Sequence, residues 1–308
     1  MDLLNVTGHP FSDNSVEVYQ FQTYQSYIHG NLNYNDEVRI PIQDLDAYTA
    51  PCNSYLYIEG KLSKSDGSKS TKLEFINNGI AFIFREIRYE MNGIIVDLVR
   101  NVGLVSTIKS YLSFNESEST LLQNADWFPK KITLTIGMDK KVLLILTEIL
   151  ISNDRDAING EDESEEPKID IQKLYWRIPH VTVGIPEKLR LNKILNRNLK
   201  IPIKFSSWRL IEYSSRSATT RYTWPVKTTT TVETSRHVII AFHKARKGKF
   251  ATDMSKFANC NLTNIRIFLN SERYPYNDPY LYYENNKFET LYEMFVNFQE
   301  LYYLHKTN

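Results

Sequence analysis

The sequence is poor in the residues that staple a chain or build a recognisable catalytic loop. It has two cysteines in 308 residues, Cys52 and Cys260, far apart and outside any C-x-x-C pattern. Neither a disulfide framework nor a structural zinc site is expected, and a reduced compartment fits. The 11 glycines are scattered. Gly93 and Gly103 flank a strand and a helix in the wrong order for a dinucleotide fingerprint, which argues against a Rossmann enzyme. Long hydrophobic runs are also lacking. The longest, Val142 to Ile151, is about half a membrane span and contains Glu148, while Met1 to Asn5 has no basic region leading into an apolar one. Neither export nor a membrane span is expected, so the Asn-x-Ser/Thr triplets at Asn5, Asn115 and Asn261 read as incidental. An excess of one charge is missing too: 37 Lys and Arg against 36 Asp and Glu leave a formal +1.

What the chain does have is aromatic residues, 13% of the sequence with 20 Tyr and 15 Phe, which suit pleated, half-buried surfaces. The length fits two domains or one large β-domain. Residues 1–36 are polar and aromatic and read as an N-terminal arm that contacts neighbours. From Tyr55 to Leu62, Leu56, Ile58 and Leu62 fall on one face and Tyr55, Tyr57, Glu59 and Lys61 on the other, the period of a half-buried strand. Ile87 to Val96 carries Asn92-Gly93 between two β-rich runs and predicts a hairpin with a type I′ turn. Asn101 then caps a helix whose Val102, Val105, Ile108 and Leu112 recur at helical spacing and pack on a sheet.

Further strands are expected at 132–136, 142–151, 175–183, 201–213, 238–242 and 262–269. Between Asn153 and Asp170 lie eight acidic and two basic residues, read as a solvated loop. Its net −6 leaves the remaining chain at +7. Phe288, Leu291, Tyr292, Phe295, Phe298 and Tyr302 form the apolar stripe of a closing helix capped by Asn285 or Asn286. Many short strands with two convincing helices describe an all-β sandwich class.

Candidate chemistry is sparse. His237 and His243 flank 238–242 but lack the close pairing and third ligand a metal needs. Glu86 and Glu90 share a strand face with Arg85 and Arg88 interleaved, so cross-strand ion pairing is expected rather than a carboxylate dyad. Cys52 has no base placed beside it. No catalytic, cofactor-binding or metal residue is therefore assigned, and the chain is read as a non-enzyme without cofactors. Lys244 to Lys249 is the densest positive charge, open to weak non-specific nucleic-acid contact or to use as an import signal, and equally to a solvated hairpin end. The loop Tyr274 to Tyr283, with Pro275 and Pro279, implies burial of several rings against either its own domain or another subunit.

The runs Phe84 to Gly93 with Asn101-Val102-Gly103, Leu174 to Val183, Ser207-Trp208, Thr223-Trp224, Arg236 to Ile239, Cys260 to Ile265 and Leu269 to Tyr276 occur in an order that resembles a known family. They are similar to the double jelly-roll major capsid proteins of Maverick/Polinton-like and adintovirus-like elements. That resemblance implies two jelly-roll β-sandwiches in tandem with a few short helices: an arm over 1–36, a first roll over 37–198 including the acidic loop 153–170, and a second roll over 199–308. It implies homotrimers forming pseudo-hexagonal capsomers of a virus-like shell, contact with a minor capsid (penton) protein, and a virion location after synthesis in the host cytoplasm and assembly in the nucleus, without secretion. Two departures mark a shortened, endogenous copy: the stretch from Trp127 to Ile151 lacks a strand and helix of the pattern, and the second roll is incomplete at its C-terminus. The alternative is a monomeric or domesticated β-sandwich module that binds protein, nucleic acid or carbohydrate and no longer assembles.

Overall fold

A computed structural model describes residues 15–27, 32, 35–43, 48–68, 72–128, 138–142, 148–151, 154–160, 166–197, 207–213, 220–226, 235–244, 246–249 and 252–303. Within them the strands are β1 (Val16–Gln25), β2 (Glu37–Arg39), β3 (Tyr48–Thr49), β4 (Tyr55–Lys64), β5 (Glu74–Phe75), β6 (Phe84–Met91), β7 (Ile94–Arg100), β8 (Met138–Val142), β9 (Glu148–Ile151), β10 (Ile158–Asn159), β11 (Pro167–Val183), β12 (Ile267–Leu269) and β13 (Glu272–Tyr274). The helices are α1 (Gly79–Phe82), α2 (Val102–Ser113), α3 (Glu116–Leu121), α4 (Ile185–Asn196) and α5 (Glu289–Tyr303).

Two antiparallel sheets carry the first half. One runs β1-β11-β4-β8 with β3 also on β11; the other runs β2-β9-β6-β7. Alternation along each strand sends one set of side chains inward. Leu56 and Ile58 of β4 and Leu174, Trp176 and Ile178 of β11 meet Val38 of β2, Phe84 and Ile87 of β6, and Ile149 and Ile151 of β9 in one buried cluster. Tyr89 of β6 sets its edge against the Trp176 ring across the gap, centroids 6.4 Å apart. The product is a β-sandwich with its hydrophobic layer between the sheets.

The expected hairpin is present. Asn92 and Gly93 both have positive φ, 50° and 76°, and Met91 pairs with Ile94 across the turn. Helix α2 follows and lies on α1 and β6, burying Val102, Gly103, Val105 and Thr107. Gly103 is required there by proximity, because a Cβ would run into the Phe82 ring. Asn101 occupies the N-cap position of α2 but makes no side-chain cap bond. Its amide instead donates to Glu212 Oε1 at 3.2 Å.

Several expectations are corrected. Part of the segment read as an arm over 1–36 is integral to the sandwich: β1 pairs with β11 from Val16↔Val183 to Gln25↔Tyr175. The acidic stretch 153–170 is not a loop throughout, since its Pro167–Asp170 end pairs with Lys64 to Lys61 of β4, and Ile158–Asn159 pairs with β5. Charged residues on the outer face of a strand satisfy the ladder as well as apolar ones do. The run 142–151 is divided between the end of β8 and β9, with 143–147 outside the described residues, as are 132–136 and 201–206. Residues 207–213 and 238–242 have no regular pairing, and only the 267–269 end of 262–269 is a strand. Helix α4 was not expected; it buries none of its residues. Asn286 closes a 3-10 turn rather than capping α5.

The second half leans on the first. Met254 enters the core of the sandwich. Ser207 Oγ donates to Asp97 Oδ1 at 2.6 Å, and the Gly248 amide donates to Asp156 Oδ1 at 2.6 Å. Helix α5 packs through Phe298 and Tyr302 on His237 and Trp208, with the Trp208 indole N–H donating to Tyr302 Oη at 3.0 Å.

Candidate functional site

The carboxylate on β6 shows how the sheet uses its charges. Glu86 is 9% exposed and sits opposite Arg100 in the β6–β7 register. Arg88 Nε donates to Oε1 at 2.7 Å and Arg100 Nε to Oε2 at 2.9 Å. Burial raises the carboxyl's pKa, but the two guanidinium hydrogen bonds and their charges outweigh it and hold Glu86 below the usual carboxylate range. Both oxygens are thereby committed to structure.

The two histidines do not converge. His237 lies edge-on to Phe298, centroids 5.2 Å apart, whereas His243 packs against Phe257 at 4.9 Å. Burial, reinforced by the nearby Arg246 charge, pushes the His243 pKa down, and its Nε2 is buried without a hydrogen-bond partner. Among the described residues no group of three or more His, Cys, Asp or Glu is arranged to hold a metal ion. Cys52 and Cys260 are free and exposed.

The basic cluster is partly spent on the fold. Arg246 Nη1 donates to the Asp253 and Lys256 carbonyls at 2.8 and 3.0 Å, and Lys247 Nζ donates to Glu212 Oε2 at 3.2 Å. These contacts take two of the four charges away from an outside ligand, and the cluster follows an unpaired segment rather than ending a hairpin.

The aromatic surfaces are where the structure departs most from a closed globule. In the proline loop, Tyr276 is 88% and Tyr280 75% exposed, so of the two expected alternatives these two rings are not packed against their own domain. The loop is nonetheless held: Leu281 is buried, its amide donates to the Thr263 carbonyl at 2.8 Å, and Asp278 receives Arg266 Nε at 2.8 Å and Nη2 at 2.7 Å together with a bond from Arg273. Desolvation opposes ionisation of Asp278, but the Arg266 and Asn264 hydrogen bonds prevail and lower its pKa. A rigid base under exposed rings is the arrangement of a contact surface, since aromatic rings supply large area with few rotors. Ile211, Tyr213, Tyr222, Val226, Val238 and Phe268 extend the exposed apolar area of the second half.

A second aromatic surface was not anticipated. On the outward side of the β1-β11-β4 sheet, the Arg177 guanidinium lies over the rings of Phe21 and Tyr55, 5.8 and 5.7 Å from their centroids. Tyr57 and Tyr175 stack beside it at 6.1 Å, and Tyr19 meets Phe21 edge-on at 6.0 Å. Alternation in the local sequence marks these as outward positions, but only the pairing of distant strands brings them together. No helix among the described residues is long and apolar enough to cross a membrane.

A protein-family model described as a double jelly roll-like domain matches residues 73–308 of the sequence. Comparison with curated protein sequences found no match. Among solved structures, the Faustovirus major capsid protein is similar with a TM-score of 0.42 and 8% sequence identity, over 63% of this chain. This chain spans 59% of that protein's length in the match.

Proposed function

The chain belongs to the double jelly roll-like domain family, and from that premise we propose that it is a structural protein of a virus-like capsid, built into a shell rather than acting on a substrate. The observation that carries the reading is the family match over residues 73–308, taken with the apolar and aromatic area that the second half leaves uncovered. Surfaces of that kind mark subunit contacts when they sit on an ordered base.

In its finer form the proposal divides the chain near residue 198 into a first and a second roll, with three copies joining into a pseudo-hexagonal capsomer. The shell is that of a Maverick/Polinton-like or adintovirus-like element carried as an endogenous copy, a penton protein fills its vertices, and the product resides in the virion after assembly in the nucleus. The exposed rings of Tyr276 and Tyr280 would lie between copies, where the loop's Arg266–Asp278 clamp keeps them presented. The test is size-exclusion chromatography with light scattering, followed by negative-stain microscopy of the purified protein. Trimers with a pseudo-hexagonal outline are expected. A monomer at the highest soluble concentration would overturn the capsomer and favour the non-assembling binding module.

A further inference from the structure

The strand at the end of the first sheet offers a second, different contact. We propose that β1 of one copy pairs edge to edge, antiparallel, with β1 of a second copy across a two-fold axis, making one continuous sheet from two sandwiches. This rests on the reading of the chain as a self-assembling protein, but it names an interface that a three-fold capsomer does not require.

The argument begins with edge protection. A sheet edge exposes a row of N–H and C=O groups that will template another strand unless the edge is short, charged, bulged or covered. The other edges of the two sheets are guarded in these ways. Strand β8 has five residues, β2 has three, and β7 carries Asp97 and Arg100. Strand β1 has ten residues, VEVYQFQTYQ, and among the described residues no strand lies on its outer side. Its one charge, Glu17, falls at the register shift between Val16 and Val18, so the regular stretch Val18 to Gln25 contains no charge, no proline and no glycine.

That composition selects the partner. An uncharged edge meets no like charge when it faces itself, and the segment has the β-rich, low-charge character that self-pairs. A register centred on Phe21 sets Phe21 against Phe21, Tyr19 against Thr23, Gln20 against Gln22 and Val18 against Tyr24, with each residue facing the same side as its opposite number. On the outward side this joins the Phe21–Arg177–Tyr55 row of one copy to that of the next. Val16, Val18, Tyr19 and Phe21, each at least 38% exposed, lie in or beside the join. Because the contact is isologous it closes at two copies instead of propagating.

The test uses the full chain in three forms: wild type, Gln20→Lys with Thr23→Lys, and Gln20→Thr with Thr23→Val. Both positions are exposed, so the substitutions change the edge and leave the core intact, which a matching thermal melt verifies. Light scattering should show a two-fold association in wild type that the lysine variant weakens about tenfold or more and the Thr/Val variant retains. In a C52S/C260S background, Phe21→Cys should form an interchain disulfide under mild oxidation, since directly opposed residues of an antiparallel pair sit about 4.5–5.5 Å apart at Cα. Two-fold association that survives both lysines, or a Phe21→Cys chain that does not crosslink, would overturn the strand pairing. Trimers in wild type without any two-fold association would leave the capsomer reading standing while this one falls, whereas dimers without trimers would do the reverse.

Discussion

The two halves of the molecule treat similar side chains in opposite ways. Between residues 16 and 197, apolar residues from nine strands meet in one cluster, and Trp176, Phe84, Leu56, Ile58 and Ile149 are all but inaccessible. Between residues 207 and 303 the described residues include only Met254, Leu281 and Ser255 in the buried class, while Tyr, Trp, Phe, Ile and Val side chains stand at the surface. Composition does not explain the difference; pairing does. A strand hides its apolar face only when neighbours on both sides build a sheet broad enough to cover another sheet. The first half has two such sheets. Among its described residues the second has the β12–β13 hairpin and irregular segments, of which Trp208 and His237 rest on α5.

The contrast can be broken hardest at Trp176. It is fully buried where the two sheets face each other, and Trp176→Ala should cost about 3–5 kcal/mol, read as a lower midpoint in guanidinium denaturation. An unchanged midpoint would mean that the sandwich core does not govern the stability of the chain.

A smaller effect is expected at Glu86. Removing it with Glu86→Ala leaves Arg88 and Arg100 without their shared acceptor, at a cost of about 1–2 kcal/mol at pH 7. Its folded pKa lies below that of the unfolded chain. Its stabilisation is therefore complete above the ordinary carboxylate pKa and is lost as pH falls through the folded value. The difference between wild type and Glu86→Ala should shrink accordingly in melts taken down through the carboxylate range; a difference independent of pH would assign the loss to packing.

The smallest effect on folding sharpens the other side of the contrast. Tyr276→Ser should alter stability by no more than about 0.5 kcal/mol, because the ring is 88% exposed. The same substitution should weaken self-association in light scattering. A clear drop in melting temperature without any change in association would move Tyr276 from a contact surface to a structural role.

How much of this could be read from sequence follows the range of the signal. The β6–β7 turn was legible because Asn92-Gly93 fixes the backbone within two residues, and β4 because Leu56 and Ile58 alternate with Tyr55, Tyr57 and Glu59. Strand β11 was legible from Tyr175 to Val183, but its start among acidic residues was not, since Pro167 to Asp170 take their extended form from β4 rather than from their own side chains. In the second half, alternation at 207–213 and 238–242 overstated pairing, because period reports which face a side chain takes and not whether a neighbour is present. The Arg177 cradle was out of reach: Phe21 and Tyr55 are more than about 100 residues from it, and no local pattern announces such a meeting.

Strand β11 also sets the order of events during synthesis. Its 17 residues, about 56 Å of extended chain, pair with β1, β3 and β4, all of which are made more than about 100 residues earlier. At about 5–20 residues per second those early strands wait on the ribosome for several seconds or more without their common neighbour. During that interval the uncharged Val18 to Gln25 segment has no β11 to occupy its inner edge. Both rows of N–H and C=O groups along the segment, not only the outer one, are then open to pairing until the far end of β11 has been made.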